Sequence, residues 1–106
     1  MATAETGDAP LRVADTVVAS KGVMSSALGE EVMILDPKAG VYHGLDPVGA
    51  RVWSLIAEPR TVAAVRDALL EEYDVEPARL ERDLFTLLAA LRANGLVEVT
   101  GADDGR

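Results

Sequence analysis

Residues 41–53, VYHGLDPVGARVW, join a short strand to a helix across a single dipeptide, and this junction constrains the fold more than any other segment. The strand, Val41–Leu45, is bounded by Gly40 and by Asp46-Pro47, which suits an edge strand of a small antiparallel sheet. Asp46 is the expected N-cap, because its carboxylate can accept from free first-turn amides, and proline is tolerated directly after it. Apolar residues then recur at helical spacing, at Val48, Val52, Trp53, Leu55 and Ile56.

The residues before this junction predict further strands. Thr16–Ala19 and residues 23–28 are typical of one kinked strand or two short ones, and Gly29-Glu30 then offers a two-residue hairpin turn. Residues 32–35 are apolar at every position, which indicates a strand that is central or buried on both faces. Residues 36–40 are turn-forming. The pattern therefore predicts a meander whose third strand, Val41–Leu45, lies at an edge.

The residues after the junction predict three helices. The first should end near Ala57, because Pro59 disfavours helix at the residue before it. Thr61 can cap the second, and Glu76-Pro77 opens a longer third helix that ends at Asn94-Gly95. Residues 96–99 are expected to dock as a short extension. The predicted buried positions are Val62, Val65, Leu69 and Tyr73 on the second helix, and Leu80, Leu84, Leu87, Leu88 and Leu91 on the third.

This order of elements predicts an α+β fold resembling a winged helix-turn-helix, with a three-stranded antiparallel sheet followed by three helices. At 106 residues the chain can bury one core without a metal, and it has no cysteine with which to form a disulfide. We expect one domain over residues 13–100, a disordered N-terminus over residues 1–12 and a disordered tail over residues 101–106.

The charge balance excludes several classes of partner. The formal net charge is −8, which disfavours binding to nucleic acid or to anionic membranes. The third helix carries as many acids as bases, whereas a DNA-reading helix should be basic. No run of about 18 apolar residues and no signal peptide is present, so we expect a cytoplasmic protein.

The sequence offers no set of catalytic or metal-binding residues. His43 is the only histidine and cysteine is absent, so neither a nucleophile-base set nor a metal cluster can be assembled from them. We therefore predict a protein that is not an enzyme and that needs no cofactor and no metal. Trp53 is expected to be a core anchor. Phe85 is either a flank of the core or the lining of an adjacent groove.

Three segments of the sequence carry a family resemblance: VMILDPKAGVYHGLDPVGARVWSLI, TVAAVRDALLEEYDV and DLFTLLAALRANGLVEV. They resemble the small proteins related to the D protein of pyrroloquinoline-quinone (PQQ) biosynthesis. Such proteins are recognition elements for the precursors of ribosomally synthesised and post-translationally modified peptides (RiPPs). The resemblance spans residues 16–99, and it is greatest to the stand-alone leader-binding proteins of lasso-peptide biosynthesis.

The resemblance implies a peptide-binding site between the third strand and the third helix. Domains of this kind hold a leader peptide as an added antiparallel strand, in a groove against the third helix. An edge strand beside a leucine-rich helix offers the unpaired backbone groups and the apolar trough that this mode requires. Carried over by position, the expected binding residues are Val41, Tyr42, His43, Gly44, Leu80, Asp83, Leu84 and Leu87.

The leading hypothesis is a non-catalytic module that captures a precursor's leader peptide and delivers it to a separate processing enzyme. The resemblance to the lasso-peptide proteins implies that this enzyme is a cysteine protease. One alternative is a peptide chaperone for a radical-SAM or other peptide-modifying enzyme, as in PQQ biosynthesis. A winged-helix transcription regulator is a further alternative, which the acidic charge disfavours.

Overall fold

The computed structural model describes residues 10–101, which form six strands and three helices. The tail predicted over residues 101–106 and the first nine residues lie outside this range, apart from Gly101. The strands are β1 (Thr16–Ala19), β2 (Met24–Leu28), β3 (Glu31–Asp36), β4 (Val41–Leu45), β5 (Arg60–Thr61) and β6 (Val97–Thr100). The helices are α1 (Pro47–Leu55), α2 (Val62–Glu72) and α3 (Pro77–Ala93).

The predicted meander is present as the antiparallel sheet β2-β3-β4. Gly29, at a φ of 66°, supplies the left-handed residue of the two-residue turn between β2 and β3. Strand β3 is central in this sheet and is not buried on both faces, so the structure shows one of the two alternatives that its apolar run left open. Only Ile34 is fully buried in β3, because α1 packs on part of one face of this sheet and the other face is open.

A second antiparallel sheet, of order β5-β1-β6, was not predicted from the sequence. Its central strand is β1, so residues 16–28 form two strands in two different sheets rather than one kinked strand. Residues 96–99, expected as a docked extension, contain most of β6, in which Val97 is the Cα partner of Ala19. This pairing places the first strand of the described chain beside the last one.

Local capping signals place the helices close to their predicted positions. The Asp46 carboxylate accepts from the Gly49 amide at 2.8 Å, and Pro47 follows it as the first residue of α1. The Thr61 hydroxyl accepts from the Ala64 amide at 3.0 Å at the start of α2. Helix α3 ends before Gly95, whose φ of 72° is the left-handed conformation expected after a helix.

One hydrophobic core lies between the helices and the two sheets. Trp53 is 9% exposed within it, and Phe85 is half-buried against it, so Phe85 is a flank of the core. Leu87 differs from the other leucines of the predicted α3 stripe, because it is only half-buried while the others are buried. Within the segment expected to be disordered, Leu11 packs against this core and Arg12 pairs with Asp15 at 3.2 Å.

No helix among residues 10–101 is long and apolar enough to span a membrane.

Candidate functional site

Strand β4 forms one edge of the sheet β2-β3-β4. It pairs with β3 on one side, and no strand of residues 10–101 lies on its other side. In an antiparallel strand the peptide groups of alternate residues point to opposite sides, so every second residue of β4 turns its amide and carbonyl away from β3. This free edge can accept one further strand through main-chain hydrogen bonds.

The register of β4 decides which of its side chains face the helices. His43 is the Cα partner of Ile34, which is fully buried, and directly opposed residues point to the same face. Because side chains alternate, Val41, His43 and Leu45 share that face, whereas Tyr42 lies on the open face and is 66% exposed. An added strand would likewise turn every second side chain toward the helices.

A groove of about 910 Å³ lies where the end of β4 and the start of α1 meet α3. The connection between α2 and α3, residues 73–76, closes one part of it. The groove is lined by Gly44, Leu45, Asp46, Val48, Gly49, Val52, Leu69, Asp74, Val75, Glu76, Arg79, Leu80, Asp83, Leu84 and Leu87.

The lining is apolar in its buried part and retains apolar side chains at the surface. Five of the lining residues are buried core residues, namely Leu45, Val52, Leu69, Leu80 and Leu84. Two others, Val48 on α1 and Val75 before α3, are 38% and 42% exposed. We call these two residues the valine lips. A groove with a buried apolar floor and exposed apolar lips can take up apolar side chains from a partner.

The charged side chains of the lining comprise four carboxylates and one guanidinium. One oxygen of the Asp46 carboxylate already accepts a hydrogen bond as the N-cap of α1. Arg79 and Asp83 form an exposed i,i+4 pair at 3.9 Å. Within residues 10–101, the side chains of Asp74 and Glu76 form no hydrogen bond or ion pair, and Glu76 leaves α3 without a side-chain cap although it is the N-cap residue. The lining therefore has an excess of negative charge.

An ion pair beside the groove connects two of the helices that form it. Arg51 on α1 donates from Nε to both carboxylate oxygens of Glu72 on α2, at 2.9 and 3.0 Å, and from Nη2 at 2.7 Å. These hydrogen bonds lower the pKa of Glu72 and raise the pKa of Arg51. Arg51 also donates to the Ser54 hydroxyl at 3.1 Å. The ion pair therefore constrains α1 relative to the end of α2.

The structure brings together five of the eight residues expected in the site. Gly44, Leu80, Asp83, Leu84 and Leu87 all line the groove. The other three expected residues, Val41, Tyr42 and His43, do not line it and lie along β4, whose free edge leads to it. Whether these eight residues contact a peptide stays a prediction.

Sequence reasoning missed the side of the groove formed by the start of α1 and by residues 74–76. Val48 could have been identified, because it follows the Asp46-Pro47 helix start on the turn of α1 nearest to β4. Asp74, Val75 and Glu76 carry no comparable signal, since their position depends on how α2 and α3 pack. Within residues 10–101, no group of three or more His, Asp or Glu side chains is placed to hold a metal ion.

Comparison with known proteins relates this chain to leader-binding proteins. The family model for coenzyme PQQ synthesis protein D (PqqD) matches residues 31–97. The chain is similar to TbiB1 in a structure with the TbiA(beta) leader peptide, with 40% identity, a TM-score of 0.72, and coverage of 76% of this chain and 94% of TbiB1.

The fold is also that of the PqqD truncation of Methylobacterium extorquens PqqCD, whose solution NMR structure represents a stand-alone RiPP recognition element. The two chains are 24% identical, with a TM-score of 0.69 and coverage of 83% of this chain and 94% of the other. At this identity the likeness concerns the fold alone. A search of curated proteins finds no significant match.

Proposed function

The chain belongs to the PqqD family, and from this premise we propose that it is a non-catalytic RiPP recognition element that binds the leader of a precursor peptide by strand addition. The leader would pair antiparallel with the free edge of β4 and turn alternate side chains into the groove. Its main-chain bonds would supply sequence-independent affinity, and its groove-facing side chains would supply specificity.

The observation that carries this proposal is the adjacency of an unpaired strand edge and an apolar groove. Gly44 and Leu45 belong both to the edge strand β4 and to the groove lining. A peptide extended along β4 would therefore reach the groove without changing direction. The similarity to TbiB1, which was solved with a leader peptide, supports a leader peptide as the ligand.

We further propose that the bound leader is delivered to a separate processing enzyme. In the lasso-peptide class, which the sequence resemblance favours, this enzyme would be a cysteine protease. Delivery is tested by reconstituting this protein with the processing enzymes encoded beside its gene. Addition of this protein should accelerate leader cleavage by the protease, and an effect only on a radical-SAM enzyme would favour the chaperone role.

Strand addition is tested with labelled leader peptides by fluorescence anisotropy. The probes are the TbiA(beta) leader and the leaders of precursor genes adjacent to this chain's gene. Each peptide that binds is resynthesised with single N-methylated residues, because N-methylation removes one main-chain donor while leaving the protein unchanged. Each lost bond should cost about 1 kcal/mol, which weakens binding roughly fivefold. The sensitivity should alternate along the peptide, since only every second residue pairs with β4.

The groove is tested with a matched pair of polar variants. Val75→Gln places an uncharged polar side chain on a valine lip, whereas Met24→Gln places one on β2, outside the groove, at a residue that is 60% exposed. Both positions are exposed, so both variants should fold. Val75→Gln should weaken peptide binding, and Met24→Gln should leave it unchanged. Binding that is uniformly insensitive to N-methylation and equal for the two variants would overturn the proposal.

A further inference from the structure

The carboxylates that line the groove differ in whether they already bond to other groups of the protein. Asp46 caps α1, and Asp83 has a long, exposed pairing with Arg79. Asp74 and Glu76 have no side-chain partner within residues 10–101, and they flank the valine lip Val75. Three adjacent residues in the lining thus present two free carboxylates around one exposed apolar side chain.

This arrangement is matched by the chemistry of a long basic side chain. Lysine and arginine can lay their aliphatic stems along apolar surface while their charged ends reach a polar edge. At this site the stem would lie along Val75, and the charged end would reach Asp74 or Glu76. An acidic peptide residue at the same place would be repelled by both carboxylates and by a chain whose formal net charge is −8.

We propose that the groove selects peptides carrying a lysine or arginine next to a groove-facing apolar residue, with Asp74 and Glu76 as the residues that read the positive charge. This inference rests on the proposed function, because it specifies which peptides that site accepts. The apolar residue would enter the groove above Leu80 and Leu84. The basic residue would remain at the surface, so its contribution should fall as salt concentration rises.

The test is an mRNA-display selection of random short peptides against three forms of the full chain. These are the unmodified protein, the double variant Asp74→Asn/Glu76→Gln, and the control Glu30→Gln/Glu58→Gln. The control removes the same net charge at two exposed residues outside the groove lining. Peptides enriched on the unmodified protein are then measured individually by anisotropy, with Val75→Gln used to identify those that bind in the groove.

Groove-binding peptides selected on the unmodified protein and on the control should be enriched in lysine or arginine at a fixed spacing from an apolar residue. Enrichment should be lost on Asp74→Asn/Glu76→Gln, and individual peptides should bind this variant roughly threefold to tenfold more weakly at low salt. The reversal Asp74→Lys/Glu76→Lys should favour the same peptides with glutamate in place of the basic residue.

Two different failures can be distinguished. In the first, the groove-binding peptides show no enrichment in basic residues and bind the unmodified protein and Asp74→Asn/Glu76→Gln with equal affinity. This result would overturn the charge preference and leave the proposed function intact. A selection yielding no peptide sensitive to Val75→Gln would overturn the proposed function, and the charge preference with it.

Discussion

Arg51 and Glu72 form a bidentate ion pair between α1 and α2, although they are 21 positions apart in the chain. Arg51 is on the helix that begins at the end of β4, and Glu72 is the last residue of α2, just before the connection that contains Asp74. The pair therefore links the start of α1 to residues 74–76, which together form the side of the groove that sequence reasoning did not identify.

The Arg51–Glu72 pair should make stability depend on pH. Because the pair lowers the pKa of folded Glu72 below its ordinary value of about 4.3, it stabilises the fold above that pH. This stabilisation is lost as the pH falls through the folded-state pKa. Glu72→Gln should therefore be less stable than the unmodified protein at neutral pH, and the difference should shrink in acid.

Urea unfolding at a series of pH values measures this difference. The effect should be modest, because the side chains of Arg51 and Glu72 remain 40% and 36% exposed. Glu71→Gln is the control, since Glu71 is an exposed neighbour with no side-chain partner in the described part of the chain. A pH dependence that is the same in Glu72→Gln as in the unmodified protein would exclude a role for the pair in stability.

Truncation of Trp53 should destabilise the whole domain. Trp53 is 9% exposed in the core and does not line the groove, so Trp53→Ala should cost about 3–5 kcal/mol. Trp53→Phe keeps part of the aromatic volume and should cost less. Thermal unfolding checks the order of the three proteins. If Trp53→Ala lost peptide binding with an unchanged melting temperature, Trp53 would belong to the binding site instead.

Two threonine hydroxyls that bond to the backbone of a helix should contribute differently to stability. The Thr61 hydroxyl caps α2 by accepting from the Ala64 amide, so Thr61→Ala should cost about 1 kcal/mol. The Thr86 hydroxyl donates within α3 to the Arg82 carbonyl at 3.1 Å, a bond that adds little to helix stability. Thr86→Ala should be neutral or slightly stabilising, because alanine has the higher helix propensity. Chemical denaturation of both variants compares the two, and equal effects would contradict the capping role of Thr61.

Peptide bound to this protein should not be cleaved by it. Cysteine is absent from the chain, so no Cys-His pair can form. His43 is the only histidine that could serve as the base for a serine nucleophile. A leader peptide incubated with the purified protein alone should remain intact by mass spectrometry. Cleavage that co-purifies with the chain through successive columns, and that His43→Ala abolishes, would show an enzyme.

The parts of the fold that depend on residues close together in the sequence were predictable from it. The caps at Asp46 and Thr61, the glycine turn at Gly29 and the leucine period of α3 are signals carried within a few residues. They define three helices and the meander. The second sheet was not predictable in this way, because β1 and β6 come from opposite ends of the chain and β5 has only two residues.

The candidate site likewise has one side that was predictable from sequence and one that was not. The Leu80 and Leu84 side of the groove follows from the period of α3, and the family resemblance supplied the role of β4. The other side depends on the angle at which α2 and α3 pack. No periodic pattern marks Asp74 and Glu76, whose polar side chains are those of an ordinary connecting loop.

The pairing of β1 with β6 also bears on how the domain can be attached to other proteins. Thr16 and Thr100 are Cα partners in this sheet, so the first strand begins beside the end of the last strand. Domains with neighbouring ends can be inserted into a loop of a host protein without stretching that loop. The free edge of β4 belongs to the other sheet, β2-β3-β4, so such an insertion would leave it open. The architecture is therefore compatible with a domain inserted into a host protein as well as with a separate chain.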